Sequence, residues 1–217
     1  IDAEIIGLAM NLLERLGVDH LTINISSIGC PNCRPNYQSA LKNYLGDRFD
    51  ALCSTCKDRY EKNPLRILDC KEDSCRALLK DVPVVLDYLC DECNEHFELL
   101  KRYLTAMGLE YRINPMIVRG LDYYTKTVFE IISEEGKFKG TVCGGGRYDG
   151  LVEECGGPAT SGIGFGMGLD RLLMVMEDQN VYIPDTRGLD LSFVTIGEAA
   201  KAKAVELVAK LRKAGIA

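Results

Sequence analysis

The sequence predicts an α+β fold: a largely antiparallel sheet with helices, a helical cysteine-rich insertion, and the start of a C-terminal α/β unit. Three observations carry this. Strand-like alternation recurs at Leu21–Ser27, Tyr111–Val118, Thr125–Ser133 and Thr141–Gly144, and the short or polar links between the last three suit antiparallel pairing. Apolar residues at helical spacing accompany them, as in Ile5, Ile6, Leu8, Ala9, Leu12, Leu13 and Leu16. From Cys30 to about Met107 the character changes to dense cysteines and frequent charges.

Taken in order, residues 1–29 read as part of a core. A helix stops at Gly17, and LTINISSIG then alternates as a strand. Residues 30–107 read as the insertion, with helical patterns in YQSALKNYL and CNEHFELLKRYLTAMG. Residues 108–181 return to the core. They hold three strands, a short helix in RYDGLVEEC, and SGIGFGMGLDRLLMVMED, a glycine-rich strand running into an amphipathic helix. Residues 182–188 form a linker with proline and glycine. In 189–217, Leu189–Ile196 reads as an apolar strand and Glu198–Ala214 as a helix ending at Gly215. One βα unit cannot bury its own faces, so this reads as the beginning of a second α/β domain.

The chain has 217 residues, 47% hydrophobic and 27% charged, the profile of a soluble globular protein. No apolar run approaches the roughly 18 residues of a membrane span. The N-terminus begins acidic, without the cationic start of a secretory signal. It also lacks an initiator methionine and starts inside a helical pattern, so a piece of something longer is expected. A net charge of −6 argues against a protein that simply coats nucleic acid, although a local basic patch is compatible with it. Ten cysteines without an export signal point to a reducing, cytoplasmic location, with metal ligands or free thiols before disulfides.

Two glycine-rich segments stand out. CGGGRYDG places Gly144, Gly145 and Gly146 at the end of a strand, where a missing Cβ lets backbone approach a ligand or simply forms a tight turn. In GIGFGMGLDR, Gly162, Gly164, Gly166 and Gly168 alternate, so on a strand they share one face bare of side chains. A flat nucleotide base fits such a surface, and so does another chain segment. Arg171 follows at a helix start, where a guanidinium meets phosphate oxygens bidentately, or serves as a surface residue. There is no GxxxxGK[ST] loop and no GxGxxG after a parallel strand, which disfavours those nucleotide folds. RGLDYYTKTVFEI sets a cation, a carboxylate and two phenols directly before a strand, a costly group to bury and therefore a candidate binding surface.

RGLDYYTKTVFE, GGGRYDGLVEECGGPAT and GIGFGMGLDRL together closely resemble the histidyl-tRNA synthetases, a class II aminoacyl-tRNA synthetase family. The first is similar to the family's histidine-binding motif, the last to class II motif 3. The resemblance covers essentially the whole chain: IDAEII is similar to the segment after motif 2, and IGEAAKAKAVELVAKLRKAGI to the first unit of the anticodon-binding domain. It implies a class II antiparallel sheet and ATP-dependent formation of histidyl-adenylate with Mg²⁺. Histidine then passes to tRNA-His, in an enzyme that is a homodimer when intact.

The resemblance also implies roles. Arg119 contacts the α-phosphate and the amino acid's carboxylate and is the catalytic residue. Tyr124 and Tyr148, with Tyr123 and Asp122 in support, belong to the histidine pocket, which Gly144, Gly145 and Gly146 line. Arg171 holds the γ-phosphate of a bent ATP, and Gly164, Gly166 and Gly168 carry the adenosine. The reaction needs no nucleophilic side chain, because positioned cations and orientation carry it. Motifs 1 and 2, and the family's acidic residue for the imidazole, precede Ile1 and are absent. The chain alone is therefore expected to show little or no aminoacylation, and pyrophosphate exchange at full-enzyme rates would contradict that.

Eight cysteines come in pairs: Cys30/Cys33, Cys53/Cys56, Cys70/Cys75 and Cys90/Cys93. Eight thiolates fill two closed tetrahedral zinc sites. Sequential pairing is the simplest, other pairings are open, and free thiols in a helical insertion are the alternative. His96 reads as a substitute ligand or a helix-surface residue, Cys143 and Cys155 as small buried residues, and His20 as surface. Lys57, Arg59, Lys62, Arg66, Lys71, Arg76 and Lys80 offer a basic face to a tRNA acceptor arm, which the resemblance places near the insertion. Interleaved acids such as Glu61, Asp69 and Glu72 equally suit a solvated surface. Two further readings stand beside the ligase. One is a synthetase-like histidine-binding regulatory subunit of histidine biosynthesis, which has no need of Arg171 at a γ-phosphate. The other is a zinc-stabilised RNA-binding module, which leaves both glycine segments idle.

Overall fold

Five strands build one sheet in the order β2-β1-β3-β4-β5 in the computed structural model, which describes residues 1–117, 123–183 and 188–216. They are β1 (Leu21–Ser27), β2 (Tyr111–Ile113), β3 (Thr125–Ser133), β4 (Gly140–Arg147) and β5 (Ile163–Met167). β3 pairs antiparallel with β1 and with β4, and β4 with β5. β1 and β3 cover the residues that alternation predicts.

The sheet is mixed rather than wholly antiparallel, because β2 pairs parallel with β1. A parallel neighbour needs a crossover. The helix α5 (Asp91–Ala106) provides it, running back across the sheet before β2 begins. β2 is also much shorter than the expected Tyr111–Val118. Asn114 turns the chain: its side-chain oxygen accepts from the Met116 amide at 3.0 Å and its carbonyl from the Ile117 amide at 3.2 Å. Pro115 has no amide to give to a ladder.

Three helices cover one face of the sheet: α1 (Asp2–Arg15), α5, and α7 (Leu169–Asp178). Ile6 and Leu13 of α1, Leu100 and Leu104 of α5, and Leu172 and Val175 of α7 meet Ile23, Ile25, Phe129 and Ile131 from the strands. Full burial of each such side chain contributes about 1.5–3 kcal/mol. α5 thus packs on the sheet, although its sequence lies within 30–107.

The inserted residues carry α2 (Arg34–Gly46), α3 (Ser54–Lys62) and α4 (Asp73–Leu78) around a small core of their own, including Tyr37, Leu41, Leu45, Leu52 and Ile67. A short helix, α6 (Leu151–Glu154), follows β4.

Residues 1–181 form one compact unit and 182–217 a second. In the second, α8 (Glu198–Lys213) forms as expected, but Leu189–Ile196 is irregular instead of a strand. A strand exists only with a ladder partner, and this unit offers none among the described residues. Val194 and Ile196 are 93% and 91% exposed there. Among the described residues, no helix is long and apolar enough to cross a membrane.

Candidate active site and cysteine quartets

Opposite the helix-covered face, strand register lines up two rows. Asn24, Glu130, Gly144 and Gly166 stand side by side, then Ser26, Val128, Gly146 and Gly164. The β4–β5 half of both rows is glycine, so backbone lies bare. A polar cavity of about 450 Å³ opens over the first row. Gly144, Gly166, Gly168, Glu130 and Arg171 line it, and the insertion adds Asp69 and Lys71. A Cβ on Gly166 meets nothing within 4 Å, which makes it the open floor. A Cβ on Gly168 comes within 3.2 Å of the Arg171 stem, so this glycine gives the arginine its room. Arg171 donates from Nη1 to the Thr141 carbonyl at 3.0 Å. The structure therefore brings together four of the residues that the resemblance assigns to substrates, and adds three cavity groups that the sequence reading did not assign to it: Glu130, Asp69 and Lys71.

Beside the second row sit the tyrosines. Tyr124 is buried, and its ring lies 4.8 Å from Tyr123 and 6.5 Å from Tyr148, with Tyr123 and Tyr148 6.0 Å apart. Gly164 leaves room for Tyr148, and Gly146 for the Thr127 carbonyl, 2.6 Å from where its Cβ would stand, as well as for the Tyr124 ring. A Cβ on Gly146 comes within 2.9 Å of the Tyr124 ring, and one on Gly164 within 2.9 Å of the Tyr148 hydroxyl. Tyr148 also donates its amide to the Gly162 carbonyl at 2.8 Å.

Gly145 does not line this surface. Three consecutive strand residues cannot face one side. Gly145 pairs with Phe129 and Phe165 and turns to the core. Arg119 and Asp122 lie outside the described residues. Cys143 is buried as expected; Cys155 is exposed, because it follows α6 at the surface. His20 is exposed beside Glu135.

One buried charge cluster has no local signal in the sequence. Asp2, at the start of α1, accepts from Thr127 Oγ1 at 2.6 Å and from Arg147 Nε at 3.2 Å and Nη2, and pairs with His96 Nε2 at 3.2 Å. Arg147 also donates to Asp149 at 2.7 Å. His96 therefore serves the sheet, not a metal. Burial opposes ionisation of Asp2, but hydrogen bonds from His96, Arg147 and Thr127 outweigh it and hold its pKa well below the ordinary carboxylate value. A depressed folded pKa stabilises above the unfolded value of about 3.9 and is lost as pH falls below it. Asp2→Asn should cost about 2–3 kcal/mol at neutral pH, by leaving Arg147 half-paired. Urea midpoints across pH check this: the substitution should also remove part of the loss of stability on acidification, and an unchanged profile would refute the pairing.

The eight paired cysteines form two quartets, and the pairing is nested, not sequential. Cys30, Cys33, Cys90 and Cys93 make the outer quartet, Cys53, Cys56, Cys70 and Cys75 the inner one. Sequential pairing fails because α2 carries the chain away from Cys33, while α5 begins beside it. Within each quartet all sulfurs lie within 4.8 Å of one another. Outer neighbours stand at 3.6, 3.7 and 3.8 Å, and Cys53 and Cys70 at 3.9 Å. A tetrahedral zinc with bonds of about 2.3 Å spaces its sulfurs by roughly 3.8 Å, so the donor sets fit that ion.

Helix starts point at both quartets. Cys33, Cys53 and Cys90 precede the first residues of α2, α3 and α5. There, free amides favour thiolates. Burial works against the Cys30 thiolate, yet bonds from the Cys33 and Asn32 backbone and from the Cys33 and Cys93 thiols bring its pKa down to about 7. The Cys53 thiol is lowered by the Cys56 backbone amide, whereas burial and neighbouring thiols push Cys56 and Cys93 up. Four thiolates this close ionise together only around a cation.

A family model described as histidyl-tRNA synthetase matches residues 64–172. The histidine–tRNA ligase of Alkaliphilus oremlandii is 57% identical over 215 residues, covering 99% of this chain and 51% of that protein. That of Caldanaerobacter subterraneus subsp. tengcongensis is 55% identical over 215 residues, covering 99% and 52%. The crystal structure of apo S. aureus histidyl-tRNA synthetase matches with a TM-score of 0.68 at 35% identity, over 99% of this chain and 53% of that one. The chain spans about half the length of the curated relatives it matches.

Proposed function

The chain belongs to the histidyl-tRNA synthetase family, and on that premise we propose that it supplies part of a histidine–tRNA ligase: the face that binds ATP and histidine, an insertion, and the beginning of an anticodon-binding domain. The observation that carries this is the gathering of Gly144, Gly166, Gly168 and Arg171 in one polar cavity next to three packed tyrosines. The bare floor at Gly166 suits a flat purine. Arg171 suits a terminal phosphate, and Glu130 and Asp69 are the carboxylates suited to Mg²⁺. Tyr124 and Tyr148 supply the rings and hydroxyls for an imidazole.

In the proposed chemistry a histidine carboxylate oxygen attacks the α-phosphorus of ATP and pyrophosphate leaves. Arg119 and Arg171 offset the charge that builds on the phosphates, and the rigid sheet holds both anions in line. The adenylate then gives histidine to the terminal ribose of tRNA-His. Exposed Lys62 and Lys80 on the insertion are cations that suit the tRNA backbone. The two quartets hold structural zinc, which ties chain segments together and takes no part in the reaction. The intact ligase is a homodimer.

Equilibrium titration with ATP and with histidine tests this. Both should bind. Arg171→Ala should weaken ATP by about ten- to a hundredfold, the loss of one charge-assisted contact, while histidine changes little. Histidine binding without ATP binding would favour the regulatory reading instead.

A further inference from the structure

We propose that the outer cysteine quartet is the device that positions the histidine side of the site, so that zinc there sets histidine affinity through Arg34, Gly29 and Glu92. This rests on the reading of the quartet as a zinc site and of Tyr124 as a histidine-binding residue. It goes beyond both by joining them.

The join is made of residues adjacent to the ligands. Arg34 follows the ligand Cys33 in sequence, and its Nη2 donates to the carbonyl of Tyr124. Gly29 precedes the ligand Cys30, and its carbonyl accepts from the Lys126 amide at 2.9 Å and from Thr125 Oγ1 at 3.3 Å. The Ile28 amide donates to the Lys126 carbonyl at 2.8 Å. Glu92 lies between the ligands Cys90 and Cys93, and its carboxylate takes the Lys126 ammonium at 2.5 Å. The Cys30/Cys33 arm therefore grips Tyr124, Thr125 and Lys126, and the Cys90/Cys93 arm grips Lys126 from the other side of the quartet.

Those three residues need gripping. Lys126 has φ +53°, in the left-handed region that a lysine rarely adopts. It sits where the β3–β4 register shifts between Thr125 and Val128, a bulge that redirects the chain just after the tyrosines. A strained residue at a bulge persists only where its surroundings over-determine it. Here the surroundings are the four neighbours of the quartet. Without a cation the sulfurs of Cys30, Cys33, Cys90 and Cys93 have no common tie. The start of α2 is then free to move against the start of α5, and the Tyr124 carbonyl and the Lys126 turn lose their fixed partners. Cys56, Cys70 and Cys75 of the inner quartet pack instead in the core of Tyr37, Leu41, Leu45 and Ile67, so the two metals have separate duties.

The experiment uses zinc analysis and titration with L-histidine and ATP. The unsubstituted protein should hold two zinc ions and bind histidine. Cys93→Ser should hold one and bind histidine at least about tenfold more weakly. Arg34→Met, which is no ligand, should keep both ions and still weaken histidine by about tenfold, with ATP binding unchanged. Arg34→Lys, which keeps a cationic donor, should recover part of the loss. Because Arg34→Met leaves the metal in place, it decides the matter even if Cys93→Ser fails to fold. Arg34→Met with unaltered histidine affinity and two zinc ions overturns the proposal alone. Two zinc ions with no histidine binding by the unsubstituted protein would instead sink the functional reading beneath it, and histidine binding with no metal would remove the zinc.

Discussion

Gly145→Val should abolish the folded state of residues 1–181 at ordinary temperature, or destabilise it by about 4 kcal/mol or more, above the usual 1–3 kcal/mol of overpacking. A Cβ on Gly145 lies 2.1 Å from the Gly164 carbonyl oxygen and 2.8 Å from the Phe165 Cα. Both obstacles are backbone of the neighbouring strand, and neither rotates away. Relief requires β4 and β5 to part, which breaks the ladder that places Gly164 and Gly166. It also requires Phe165, packed against the core beneath, to shift. Gly166→Ala is the control from the same sheet. Its Cβ enters open space, so thermal stability should change by no more than about 1 kcal/mol, and in the stabilising direction, since glycine weakens a strand. Only ligand binding should suffer. Thermal unfolding and ATP titration of the two variants together separate a glycine kept for the fold from one kept for a ligand. A stable Gly145→Val protein would show that the register of β4 against β5 is misassigned.

That pair of glycines also marks how far the sequence could be read. The triple glycine and the alternating glycines were visible as a bare surface, and the alternation of β1 and β3 fixed their faces. What the one-dimensional pattern lacked was register. It could not tell that Gly145 faces Phe165, or that Gly146 and Gly164 make room for tyrosine rings while Gly166 stays open. Glu130 was legible in principle, because it shares strand parity with Val128 on the glycine side. It reads as an ordinary polar strand residue until Gly144 is set opposite. Asp2 was not legible at all. Its partners Thr127, His96 and Arg147 come from distant parts of the chain, and a lone aspartate at a helix start is common. Cysteine spacing revealed two tetrahedral sets but not their nesting, which depends on where α2 and α5 begin. The failed strand at Leu189–Ile196 has the same cause: apolar β-branched residues specify a strand only when a partner edge is present.

Removal of metal should have the largest effect of any change considered. Structural zinc in small domains contributes apparent binding energies of about 10–16 kcal/mol at neutral pH, nearly all of it folding energy. The inserted residues have a short list of buried side chains and three short helices, too little apolar burial to hold a domain of that size unaided. The inner quartet joins α3 to the turn after Ile67 and to α4, so its loss releases most of that small core. The sheet and its three helices bury a separate core and should survive. Chelation is therefore expected to lower the helical circular-dichroism signal and to open residues 34–89 to protease while α1, α7 and the strands stay protected. Acidification should imitate the chelator, because protons compete for thiolates. Affinity falls as pH drops because every ligand binds as its thiolate, and zinc should be released before the Asp2 cluster fails, since the pKa of that carboxyl lies well below the ordinary carboxylate value. Protein purified without added zinc, analysed for metal and then digested before and after chelation, checks every step. A metal-free preparation with a protease-resistant insertion would show that the eight thiols need no ion to hold it.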